Sequence, residues 1–173
     1  MQDRQPGLGR YAHPEREQRW IVRSVPIGST PVASIVDRYI VGTRLRLRRS
    51  EDAGGTTYKL GQKVREDPTS PEIVRLTNMY LSDDEYNALL VLPAAVLHKT
   101  RSRAHWADRS LAVDRFHGRH DGLVLSEVEL APNEPFLPAP PWAHGDVTHD
   151  DKFSGGALAF ATDDDINALL EQQ

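Results

Sequence analysis

Residues 43–49 read Thr43-Arg44-Leu45-Arg46-Leu47-Arg48-Arg49. Side chains two apart on a strand share a face and stand roughly 6 to 7 Å apart. The run therefore predicts a strand with Arg44, Arg46 and Arg48 on one face and Leu45 and Leu47 on the other. The same period organises three further clusters. Glu15 and Glu17 share a face, Lys99, Arg101 and Arg103 repeat the cationic row, and Glu127 and Glu129 flank Val128. The leucines need a hydrophobic layer, so the arginines face either bulk water or an enclosed polar interior. Taken singly, each cluster is an ordinary half-buried strand with a solvated charged face. Taken in chain order they run acid, base, base, acid, and like-charged rows on neighbouring strands repel unless something anionic compensates them. A phosphate chain would do so, bound by the Arg and Lys rows directly and by the carboxylates through divalent cations.

Outward from these clusters the chain reads as mainly β. Residues 15–22 alternate as a strand and run into the turn-rich stretch 25–31, after which a short helix is an option. Residues 37–41 and 43–49 form two strands hinged near Gly42, and Gly54-Gly55 turns the chain into a returning strand over 56–64. Ser82 and Glu85 have the spacing of a capping box, and Leu81, Tyr86, Leu89 and Leu90 recur at helical intervals, which predicts a helix over 82–92 ended by Pro93. Strands follow at 96–104, 110–116 and 123–130, with a loop at 117–122. The proline-rich residues 132–141 are extended and irregular, and Asp163-Asp164-Asp165 opens a short terminal helix. Many short strands broken once by a helix give an α+β class, mainly β, as a meandering antiparallel sheet or barrel with flanking helices. Residues 1–12 read as a flexible N-terminal tail, and 13–173 as a single domain with a C-terminal helix.

The 173 residues suffice for one domain with a real core. The absence of cysteine excludes disulfides and thiolate metal sites, leaving carboxylates and the 7 histidines as ligands. A net charge of −4, from 21 Lys and Arg against 25 Asp and Glu, argues against a surface coated with phosphate-binding cations. No apolar run approaches the roughly 20 residues needed to cross a bilayer, and the first ten residues lack the apolar centre of a secretory signal. The expectation is a cytoplasmic protein with no membrane partner. The Arg44 to Arg49 run would also suit a nucleic-acid backbone, but Tyr39 and Tyr58 are the only aromatics nearby and the overall charge is negative, so nucleic acid is disfavoured. His117 and His120 beside Gly118 and Gly122 read as a polar hairpin loop before they read as a metal site. Trp20, Trp106 and Trp142 read as packing residues. Neither a nucleophile elbow nor a G-x-x-x-x-G-K loop is present.

The segments resemble a CYTH domain of the triphosphate tunnel metalloenzyme superfamily, and most of all its bacterial inorganic triphosphatase branch. Those that carry the resemblance are Glu15-Arg16-Glu17-Gln18-Arg19, which is similar to the family's ExExK opening strand, then Thr43-Arg44-Leu45-Arg46-Leu47-Arg48, Tyr58-Lys59-Leu60-Gly61-Gln62-Lys63 and Thr77-Asn78-Met79-Tyr80-Leu81. Lys99-Thr100-Arg101-Ser102-Arg103, Val113-Asp114-Arg115-Phe116-His117-Gly118, the stretch 122–130 and Asp146-Val147-Thr148 continue it over about 13 to 160. The resemblance implies a closed eight-stranded antiparallel β-barrel, a tunnel with a charged interior and apolar packing outside. It implies Glu15, Glu17, Glu127 and Glu129, joined by Asp114, as ligands of Mg²⁺ or Mn²⁺. Arg44, Arg46, Arg48, Lys63, Lys99, Arg101 and Arg103 would hold the phosphate oxygens of a small-molecule triphosphate or polyphosphate, and a homodimer is compatible with the pattern.

The activity implied is metal-dependent hydrolysis of inorganic triphosphate or a related triphosphate-bearing substrate. Arg19 stands where the family's opening motif usually has lysine. Arginine stays charged above roughly pH 12 and cannot act as a base near neutrality, so Arg19 takes an electrostatic catalytic role. Metal-bound water oriented by Glu127 or Glu129 becomes the better nucleophile. Gly61 stands where the related strand often has threonine, and Ser154-Gly155-Gly156 lacks the usual asparagine near the closing helix. The alternatives are a polyphosphate- or nucleotide-binding module with weak or no catalysis, which Arg19 favours, and adenylate cyclase-like chemistry.

Overall fold

The computed structural model describes residues 5–65, 70 and 72–171. Residues 1–4 of the expected tail and residues 172–173 lie outside the described residues. Nine strands are present among them: β1 (His13–Val22), β2 (Thr30–Ile40), β3 (Leu45–Asp52), β4 (Gly55–Val64), β5 (Ile73–Leu81), β6 (Ala94–Trp106), β7 (Arg109–Phe116), β8 (Val124–Leu130) and β9 (Ala143–Asp146). They are joined by α1 (Asp83–Leu89) and followed by α2 (Gly155–Phe160) and α3 (Asp163–Leu170). The hydrogen-bonded order is β5-β4-β3-β2-β6-β7-β8-β1-β9, and a further β5–β1 pairing closes the first eight into a barrel. All pairs are antiparallel. On one edge β1 meets β8 over Arg16 to Ile21; its other edge is shared end to end by β5, which pairs with His13 to Arg16, and by β9, which pairs with Trp20 to Val22.

Period two then sets the two faces of the barrel. The inward row of β1 is Glu15, Glu17, Arg19 and Ile21; that of β8 is Leu125, Glu127 and Glu129. Along these rows the interior is charged, and at one end it turns apolar. Ile21, Leu97, Phe116 and Leu125 meet Phe153, Leu158 and Leu169 of the C-terminal segment in a buried cluster that closes that end. Outward-facing residues make the other cores. Trp20, Leu111, Val128 and Leu130 pack with Trp106, Leu137 and Trp142, so all three tryptophans serve packing, and Val22, Ala104, Val113 and Val124 form a third cluster beside Val25 and Trp142. The irregular proline-rich segment is tied across this outer face by Gln18. Its Oε1 accepts from Leu137 N (2.8 Å), and its Nε2 donates to Leu137 O (3.0 Å) and Asp146 Oδ2 (3.1 Å).

Most of the expected elements are present, and four differ. The option of a short helix after Pro31 is replaced by strand: β2 begins at Thr30, Pro31 pairs with Ser102 near its start, and a register shift between Pro31 and Ala33 leaves Val32 out of the ladder. Strand β5 has no alternation in its sequence, because Val74 and Leu76 face inward where other strands carry charge. The four-residue β9 and the six-residue α2 are too short for a periodic signal. Helix α1 starts as expected, with the Ser82 hydroxyl accepting from Glu85 N and Glu85 accepting from Ser82 N. Residues 5–12 lie outside the strands, and Gly7 is buried against Val64. No helix among the described residues is long and apolar enough to cross a membrane.

Candidate functional site: a cation-lined cavity inside the barrel

The inward rows of β1, β3, β4, β5, β6 and β8 surround one cavity of about 510 Å³. Its cationic lining is Arg19, Arg44, Arg46, Arg48, Lys59, Lys63, Arg65, Lys99 and Arg101, and its carboxylates are Glu15, Glu17, Glu72 and Glu127. Thus the structure brings together Glu15, Glu17, Arg19, Arg44, Arg46, Arg48, Lys63, Lys99, Arg101 and Glu127. Arg44 lies just before β3 and is exposed at the cavity's edge. Arg103 and Glu129 continue the same strand faces but are exposed and outside the lining. Asp114 lies behind the lining, 1% exposed, and serves the cations.

Two buried aspartates fasten the cationic rows from beneath. Asp114 accepts from Lys99 Nζ (2.5 Å) and takes a fork of bonds from Arg101, Nε at 2.7 Å and Nη2 at 2.6 Å. Asp37, also 1% exposed, takes the matching fork from Arg48, with both bonds at 2.6 Å. Such bidentate charge-assisted pairs fix geometry as well as charge. Burial alone would raise these two carboxyls; Arg48 and Arg46 outweigh it at Asp37, and Lys99 and Arg101 at Asp114, so both lie below the usual carboxylate range. Arg46 is left over. Its Nε stands 3.6 Å from Asp37 Oδ1, and this buried N–H has no hydrogen-bond acceptor.

On the acidic side, Arg19 Nε donates to Glu127 Oε1 at 2.7 Å, its Nη2 to Glu17 Oε2 at 3.2 Å and its Nη1 to Phe153 O at 3.2 Å. Glu127 would be raised by burial, but Arg19, Lys99, Arg101 and Lys63 together hold it low. Lys63 Nζ lies 2.8 Å from Glu15 and 3.8 Å from Glu17, and those carboxylates raise its pKa against the opposing effect of burial. Lys99 moves the other way. Burial pulls its ammonium down, and Arg101 and Arg48 add to the pull while Asp114 resists it.

Sequence reasoning passed over Asp37, Tyr39, Lys59, Arg65 and Glu72. Asp37 and Tyr39 carry the period-two signal, being two apart on a strand that was recognised, but a lone aspartate among arginines has no pattern that separates a fastener from a surface residue. Glu72 precedes a strand without alternation. His117 and His120 lie away from the cavity: His117 Nε2 is 2.7 Å from Thr100 Oγ1, and the buried His120 bonds Leu158 O at 2.8 Å. Among the described residues no group of three or more His, Asp or Glu is arranged to hold a metal ion unaided.

No protein-family model and no curated protein matches the chain. Solved structures do. The crystal structure of the inorganic triphosphatase NE1496 aligns at a TM-score of 0.58 and 23% identity, over 86% of this chain and 95% of that one. A second crystal structure of NE1496, described as a hypothetical protein, aligns with the same score and identity over 85% and 98%. The chain shares the fold of these structures, a closed eight-stranded antiparallel barrel.

Proposed function

We propose that the protein is a triphosphatase-like phosphoanhydride hydrolase, acting in the cytoplasm on inorganic triphosphate or a related triphosphate-bearing compound. The observation that carries this reading is the buried, acceptorless Nε of Arg46 in a walled cavity with nine cationic and four carboxylate side chains in its described lining. Counting Asp37, Asp114 and Asp151, which pairs with Arg65, the cations outnumber the carboxylates by two, nine against seven. A linear polyanion supplies what is missing: acceptors for the guanidinium groups and several negative charges in a narrow space. The shared fold with an inorganic triphosphatase supports the same conclusion.

Glu15, Glu17, Glu72 and Glu127 all line the cavity, and Glu15 Oε2 faces Lys63 Nζ at 2.8 Å. Hard oxygen donors, few in number and close to a phosphate site, fit Mg²⁺ or Mn²⁺, which is commonly held by one or two carboxylates together with substrate oxygens. Glu15 and Glu17 would hold the ion together with substrate oxygens, with Glu127 and Glu72 adjoining. When bound, it neutralises phosphate charge and makes water a better nucleophile.

The chain's own residues do the remainder. Arg44, Arg46, Lys63 and Arg101 bind the phosphate oxygens, and Asp37 and Asp114 hold Arg48, Lys99 and Arg101 in position before substrate arrives. Such preorganised charge stabilises the spreading negative charge of phosphoryl transfer without rearrangement during the reaction. Arg19 remains a guanidinium that orients Glu17 and Glu127. Lys99, made more acidic by burial, gives up its proton more readily than an ordinary lysine and so suits proton exchange with water or the departing phosphate.

A second reading, binding without turnover, draws on the same Arg19, which is bonded on three sides and cannot serve as a base. Orthophosphate release from inorganic triphosphate separates the two. With Mg²⁺ the wild type is expected to release phosphate, and Glu127→Ala to lose release while still binding. Tight binding with no release by the wild type would favour the binding module, and no binding at all would defeat both.

A further inference from the structure

Closure of the barrel leaves part of one strand uncovered. Strand β5 pairs with β4 from Arg75 to Leu81, but its pairing with β1 stops at Leu76, opposite His13. Residues 77–81 therefore have one edge with no ladder partner among the described residues. Such an edge is a template for another strand, and proteins usually blunt it with a charge, a proline or a bulge. Thr77-Asn78-Met79-Tyr80-Leu81 has none of these. It carries neither charge nor proline, and its register with β4 runs without a shift. Met79 on the outer face is 54% exposed and Tyr80 on the inner face 73%, so both faces of the strand are open here as well as its edge.

We propose that this edge joins two copies of the chain, β5 of one against β5 of the other, antiparallel about a two-fold axis through Met79. About that axis Met79 meets its own copy, Asn78 meets the partner's Tyr80, and Thr77 meets the partner's Leu81, so every facing pair is uncharged. The two ends match by charge. Past Leu81 each chain turns into α1, whose first turn carries Asp83 and Asp84. Before Thr77 the edge is taken by β1, whose approach carries Arg10 and His13. Antiparallel pairing brings the acidic turn of one copy to the basic approach of the other, whereas parallel pairing would set acid against acid. An unrelated peptide has no reason to match both ends; a second copy does so by symmetry. The pairing also sets the partner's Tyr80 beside Asn78, which lines the cavity, so each subunit narrows the other's mouth.

The chain has no cysteine, so Met79→Cys places a single thiol on the axis. Facing residues of an antiparallel pair have Cα atoms about 4.5–5.5 Å apart, within the range of roughly 4.4–6.8 Å that a disulfide spans. Under mild oxidation this variant should run on a non-reducing gel as a covalent dimer, at twice the 19.4 kDa of one chain. Val91→Cys, exposed but away from the edge, should stay single. Light scattering tests the interface without a cross-link. Wild type is expected to be a dimer, Met79→Lys and Met79→Glu each a monomer because like charges meet on the axis, and an equimolar mixture of the two a dimer again. Calorimetric titration with inorganic triphosphate should give wild-type affinity in both variants, which shows them folded. A monomeric wild type, a dimeric Met79→Lys, a mixture that stays monomeric, or cross-linking of Val91→Cys as readily as Met79→Cys overturns the interface and leaves the triphosphatase reading intact.

Discussion

Replacing Asp37 by asparagine removes a negative charge from beneath the β3 row while leaving the side chain's shape unchanged. In the wild type both carboxylate oxygens accept from Arg48 at 2.6 Å, and Arg46 lies within 3.6 Å. In Asp37→Asn one oxygen becomes an NH₂ group facing a guanidinium donor, and two arginines lose their counter-charge. Breaking one side of a buried ion pair costs about 3–5 kcal/mol. Arg46 and Arg48 keep 12% and 17% of their side-chain surface in contact with water, so the lower end applies, about 3 kcal/mol. For a chain of this length that is a fall in Tm of about 6–12 °C. The variant cavity also gains one positive charge, so an anion should stabilise it more than it stabilises the wild type. Scanning calorimetry with and without inorganic triphosphate reads both effects. A fall of less than about 2 °C, or an upward shift with triphosphate smaller than in the wild type, would refute the assignment of Asp37 as a fastener of the cationic row.

Two further predictions concern neighbours of the same cavity. A Cβ at Gly155 would meet Tyr39 Oη at 2.1 Å, so Gly155→Ala should cost about 1–3 kcal/mol in urea unfolding. Adding Tyr39→Phe, which removes that oxygen, should recover most of the loss; a double variant no better than Gly155→Ala would show the strain lies elsewhere. Because burial lowers the Lys99 pKa, triphosphate affinity should decline with rising pH sooner than an ordinary lysine near 10.4 would require, and Lys99→Met should abolish that part of the profile. On the acid side the sign is opposite. Asp37, Asp114 and Glu127 have depressed values in the fold, so the stability they contribute is complete above the ordinary carboxylate range and is lost as pH falls through their lowered values. A pH titration of Tm checks the acid limb, and calorimetric titration of triphosphate across the alkaline range checks the Lys99 limb.

The alternation in residues 43–49 fixes a face, and this is why Arg44, Arg46 and Arg48 could be paired with Glu15, Glu17, Lys99, Arg101 and Glu127 before any coordinates. Depth along the barrel is another matter. Arg103 and Glu129 obey the same period and yet lie exposed beyond the cavity, because where a strand leaves the barrel depends on tilt and stagger between strands, which no single strand encodes. The resemblance marks Asp114 as an acidic site residue for metal but not as a fastener, since that role follows from its register with Arg101 across the β6–β7 ladder. The apolar inward faces of β5 and the short β9 left no periodic trace, and Pro31 argued against the strand that the bulge in β2 in fact accommodates.

Insertion of the first strand between β5 and β8 carries a consequence for biogenesis. Residues 13–22 are the first of the barrel to leave the ribosome, but their ladder partners at 73–76 and 125–130 follow much later. Until then the segment bearing Glu15, Glu17 and Arg19 has no edge to join, and loop closure over that separation slows pairing. A nascent chain arrested before residue 124 should therefore expose an open seam, a natural point for chaperone capture or for self-association.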